Sequence, residues 1–83
     1  MEFLNISREG PDFVAGHRRE LGDKVVVLAT ERADNMTKLG RQAAGIGMDH
    51  LLIHFDGIDP DERKDFHISI AVARLEKPKQ KSA

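Results

Sequence analysis

The polar and apolar positions change period several times along the chain. In EFLNIS, Glu2, Asn5 and Ser7 are polar while Phe3, Leu4 and Ile6 are apolar, which predicts a strand over 2–7. REGP breaks it. Pro11 suits the first turn of a helix, where its absent N–H costs nothing. Phe13, His17 and Leu21 then share one face at a spacing of four, with Val14 beside them. This predicts a short helix over 11–21, stopped by Gly22. KVVVLAT, bounded by Asp23 and Thr30, is β-branched and reads as a buried strand. Thr30 is placed to cap a second helix, with Glu31 in its first turn. Ala33, Met36, Gly40 and Ala43 keep helical spacing, Leu39 widens the stripe, and Gly45 and Gly47 end it.

The second half alternates more cleanly. In HLLIHFD, Leu51, Ile53 and Phe55 point one way, and His50, Leu52, His54 and Asp56 the other. FHISIAV repeats the pattern, with Phe66, Ile68, Ile70 and Val72 inward. Between them, GIDPDERKD suits the connection of a hairpin arm. Asp59, Pro60 and Glu62 also form a helix-start signal, which would make 60–74 helical. Four apolar residues at strict period two favour the strand. The expected order is β-α-β-α-β-β, with two right-handed parallel crossovers and a final antiparallel pair. That is an α+β two-layer sandwich: a four-stranded mixed sheet with two helices on one face.

Composition narrows the possibilities. The 83 residues allow one domain, expected over 1–76, with a flexible polar tail at 77–83. A chain this short is marginal alone, and without cysteine it has neither disulfide nor thiolate metal site to reinforce it. A homodimer is the expected remedy. The lack of cysteine agrees with a reducing cytoplasm. No apolar run approaches the ~20 residues of a membrane span, and MEFLNISREG does not read as a signal peptide. Thirteen Lys+Arg against fourteen Asp+Glu leave a net charge of −1, which argues against nucleic-acid binding by bulk charge while permitting a local basic face.

Several stretches, taken in order, resemble a known family. They are the opening MEFLNIS, the VAG of Val14–Gly16, Ala33 and Asn35 at the second helix, GMDHLLI at Gly47–Ile53, and DERKDFHISIAV leading to EKP. Together they span about residues 1–78 and resemble the stage V sporulation protein S (SpoVS) family. The element order is likewise Alba-like, shared with the C-terminal domain of the third bacterial initiation factor. The resemblance implies a dimeric, nucleic-acid-binding regulatory or architectural protein, with DNA ahead of RNA.

The residues that would carry such contacts are Arg8, Arg18, Arg19, Lys38 and Arg41, with Asn35 as a neutral donor. If both helices lie side by side on the sheet, the five cations share one face, and the planar arginine fork suits phosphate. The bland alternative is solvated charge with Glu20 and Glu31 as partners; for Asn35 it is a backbone bond in the helix's first turn. His17, on an apolar face, reads as a packed core or interface residue. His50 and His54 share a face but stand roughly 13 Å apart along a strand, too far for one tetrahedral ion. No nucleophile elbow, phosphate-binding glycine loop or EF-hand pattern is present, so no catalysis, cofactor, metal or small-molecule substrate is expected. A second functional class stays open: a protein–protein module using its dimer surface or the acidic arm of Asp56, Asp59, Asp61 and Glu62.

Overall fold

The structure, a computed structural model, describes residues 1–76; the tail expected at 77–83 lies outside the described residues. Strand β1 runs Glu2–Glu9, β2 Asp12–Leu21 and β3 Lys24–Ala33. Helix α1 covers Met36–Gly45, a 3-10 turn Met48–His50, β4 Leu52–Phe55 and helix α2 Pro60–Glu76. The order is therefore β-β-β-α-β-α, which corrects the expected β-α-β-α-β-β. The coarser expectation holds: the protein is α+β, with a four-stranded mixed sheet and two helices. The sheet order is β3-β2-β1-β4, with β1–β2 and β2–β3 antiparallel and β1–β4 parallel. No helix among the described residues is long and apolar enough to cross a membrane.

The first correction is at 11–21, which is not a helix: Asp12–Leu21 is strand β2 and Pro11 lies in the turn before it. Glu9 pairs with Asp12 across a two-residue loop, Gly10-Pro11. Leu21 pairs with Lys24 across another, Gly22-Asp23. Gly10 and Gly22 have φ of 60° and 67°. A left-handed glycine at the first loop position is what a type II′ hairpin turn requires, and its twist matches that of the flanking strands. Pro11 fits the second position because its φ is fixed negative. Gly10 and Gly22 are thus turn residues, and 2–33 folds as one meander.

The second correction is at 66–72, which lies inside α2. Pro60 opens that helix, and Glu62 Oε1 accepts the Asp59 N–H at 3.3 Å, one half of a capping box. Phe66 and Ile70 are buried, whereas Ile68, between them, is exposed. The competing start signal at 59–62 prevails because only a helix buries Phe66 and Ile70 together with Ser69. The third concerns α1: β3 continues to Ala33, and Asn35, not Thr30, is the N-cap, its Oδ1 accepting Lys38 N–H at 2.8 Å.

Both helices pack on one face of the sheet. Leu4 and Ile6 of β1, Phe13 and Ala15 of β2 and Ala33 of β3 meet Met36, Leu39, Ala43, Met48, Ile58, Phe66 and Ile70. Leu51, Ile53 and Phe55 flank this core as expected. The Phe55 and Phe66 rings meet edge to face with centroids 5.8 Å apart. The helices are in close contact at Gly40. A Cβ there would lie 1.7 Å from Ser69 Oγ and 3.1 Å from the Phe66 carbonyl oxygen. Ser69 in turn donates to that carbonyl at 2.9 Å.

Gly40→Ala is therefore expected to push the helices apart and cost about 1–3 kcal/mol of stability in urea unfolding. Adding Ser69→Gly should recover part of the loss. An unchanged midpoint for Gly40→Ala would contradict this packing.

Candidate interaction surfaces

Because 11–21 is a strand, neighbouring side chains leave it on opposite faces. Arg19 pairs with Glu2 and His17 with Leu4, so these sit on the face that carries the helices. Arg18 pairs with Phe3 and sits on the bare face. The two adjacent arginines cannot share a patch.

Four of the five expected cations are held by carboxylates. Arg8 donates to Glu62 Oε2 at 2.7 Å and lies over the Phe13 ring, 4.6 Å from its centroid. Arg19 grips Glu2 Oε2 through Nε at 3.0 Å and Nη2 at 2.7 Å. Lys38 reaches Asp34 at 3.1 Å and Arg41 reaches Glu76 at 2.9 Å. Only Lys38 and Arg41 stand together, on α1. Asn35 is used as the cap, the bland alternative of its reading. Exposed pairs of this kind add little stability, but they lower the local positive potential.

Glu2 is the hub of a small cluster at one end of the sheet. It receives Arg19 on one oxygen and lies 2.7 Å from His17 Nε2 on the other. These hydrogen bonds, Arg19's first and His17's second, hold its carboxyl below the ordinary value of 4.5. His17 is thus half-buried beside a carboxylate. Among the described residues no group of three His, Cys, Asp or Glu side chains could hold a metal.

The bare face of the sheet carries a hollow of about 480 Å³, lined by Met1, Phe3, Asn5, Arg18, Glu20, Leu52, His54 and Asp56. Arg18 Nε is buried there without a hydrogen-bond partner. Arg18 makes no ion pair among the described residues.

The edge of the sheet departs furthest from expectation. KVVVLAT is a strand, but it is exposed and not buried. Val25, Val26, Val27 and Leu28 are 52, 40, 54 and 43 % exposed, and Leu21 beside them is 54 % exposed. An unbroken apolar run signals burial on both faces only if both faces find cover. Here β3 is the outermost strand, and the helices cover only its far end, at Ala33. The hairpin tip around Gly22 runs past the end of β1, whose last pairing is Glu2 with Arg19. Two-residue loops at 10–11 and 22–23 were the signal that could have shown 2–33 to be a meander of hairpins, although not which of its outer strands is left at an edge.

Comparison with known proteins finds no matching family model, no matching curated protein and no matching solved structure.

The Glu2 cluster has a pH signature. A carboxylate whose pKa is depressed by folding contributes stability above its unfolded value, and that contribution is lost as pH falls through the folded value. Glu2→Gln should therefore show a shallower loss of stability than the wild type as pH falls below 4.5. Parallel acid-unfolding profiles would contradict the cluster.

Proposed function

We propose that this chain is a non-catalytic protein-interaction module whose contact surface is the β3 edge. One observation carries the reading: four consecutive apolar residues, Val25–Leu28, stand exposed on an edge strand whose outer backbone groups have no partner strand among the described residues. Soluble proteins guard such edges with charge, proline or brevity, because they template pairing with another strand. An exposed apolar stretch of this kind marks a contact surface. It differs from the acidic arm considered from sequence, whose residues 60–65 form the first turns of α2. A cytoplasmic setting, in keeping with the absence of cysteine, belongs to the same proposal.

Nucleic-acid contact is the second reading, and Arg18 favours it. That guanidinium lies in a hollow on the bare sheet face and makes no ion pair among the described residues, although Glu20 and Asp56 line the same hollow. The neutralised state of Arg8, Arg19, Lys38 and Arg41 supports the module instead. The SpoVS-like and Alba-like reading, with its sporulation role, rests on matched residues alone. The order β-β-β-α-β-α lends it no support.

Fluorescence anisotropy with short DNA and RNA duplexes separates the two. The module reading predicts no saturable binding at low micromolar protein between about 50 and 200 mM salt, where phosphate contacts would change affinity steeply. Duplex binding that weakens with salt and disappears in Arg18→Glu would overturn it.

A further inference from the structure

We infer that the partner of the β3 edge is a second copy of this chain, paired antiparallel through the same strand to give one continuous eight-stranded sheet. This rests on the module reading and adds the identity of the partner. The strand is long enough: its ten residues extend about 33 Å. Its apolar centre is also without guarding charge or proline. Residues 25–29, Val-Val-Val-Leu-Ala, include no charge and no proline. Leu28 is the extra residue of a bulge against β2, since Val27 pairs with Arg18 and Ala29 with His17. The bulge increases local twist but leaves Lys24–Val27 in regular ladder geometry.

Charge selects the direction and the partner. Lys24 precedes the apolar run and Glu31 follows it. Neither makes an ion pair among the described residues. Antiparallel pairing about a two-fold axis beside the valines brings Lys24 towards the partner's Glu31, and Glu31 towards the partner's Lys24. Parallel pairing would set like charges opposite each other, which destabilises a sheet. In that register the axis falls at Val27 and Leu28, which meet their counterparts in the partner, and Val26 faces the partner's Ala29, an apolar match across the axis. The strand is therefore complementary to itself in charge and in shape.

The rest of the sheet limits the assembly to two copies. The opposite edge, β4, has only four residues and carries His54 and the exposed Leu52. It cannot match a ten-residue strand, so head-to-tail growth is disfavoured and the β3 contact closes on itself. The two-fold also brings the partner's α1, which follows its Ala33 end, towards the hairpin tip of the first copy. That tip is the part of the sheet that the chain's own helices leave uncovered.

Sedimentation equilibrium across the micromolar range tests the pairing. The wild type should show twice the 9.3 kDa chain mass. Val26→Lys combined with Leu28→Glu should halve it with unchanged far-UV circular dichroism, since both positions are exposed. Because the chain has no cysteine, single substitutions Val25→Cys, Val26→Cys, Val27→Cys and Leu28→Cys provide an independent readout. The cysteine nearest the two-fold should form an intermolecular disulfide under air oxidation, since directly opposed strand residues fall within disulfide reach. A monomeric wild type, a dimer indifferent to the β3 changes, or open-ended assemblies would each overturn self-pairing. The module reading falls separately, through salt-dependent duplex binding lost in Arg18→Glu.

Discussion

Two left-handed glycines, Gly10 and Gly22, organise this protein. Each opens a two-residue loop, and together they return the chain on itself twice within the first 33 residues. The meander they produce puts β3 on the outside of the sheet. The chain leaving β3 must then cross through α1 from one sheet edge to the other, because β4 pairs with β1 at the far side. The core lies where those helices land, over Leu4, Ile6, Phe13 and Ala15. The tip of the β2–β3 hairpin extends beyond their cover.

The same pleat disperses the positive charge. A helix at 11–21 would have carried Arg18 and Arg19 together towards Lys38 and Arg41. A strand sends Arg18 to the bare face and Arg19 to Glu2 on the other. Arg8, Lys38 and Arg41 each meet a carboxylate from a different element or turn, which fits a chain with net charge −1. What remains conspicuous on the surface is apolar: the valines of β3.

Much of the architecture could be read from the residues, and the failures have physical causes. β1, the strand character of 24–30, α1 and β4 follow from β-branched runs and from the spacing of Met36, Leu39 and Ala43. Residues 11–21 misled because Pro11 suits a helix start as well as a II′ turn, and Phe13, His17 and Leu21 are four apart. A spacing of four is compatible with both a helix and a strand. Phe66 and Ile70 pose the same ambiguity in α2. Ile68 and Val72 completed a strand pattern, yet Ile68 is left exposed by the helix. The exposure of Val25–Leu28 was not visible in the residues themselves, since it depends on which strand ends at the edge. The dispersal of the basic residues follows from the two misread elements: β2 separates Arg18 from Arg19, and α2 supplies Glu62 and Glu76 to Arg8 and Arg41.

The account thus turns on β3 as an outer strand that pairs with its own copy. Amide hydrogen exchange along Lys24–Ala33, followed as the protein is diluted, tests this most directly. Self-pairing predicts that amides pointing towards β2 stay protected throughout. The alternate, outward-pointing amides should be protected at high concentration and lose that protection on dilution. Outward amides that exchange freely at every concentration, or a segment 12–33 lacking the alternation of a strand, would contradict it.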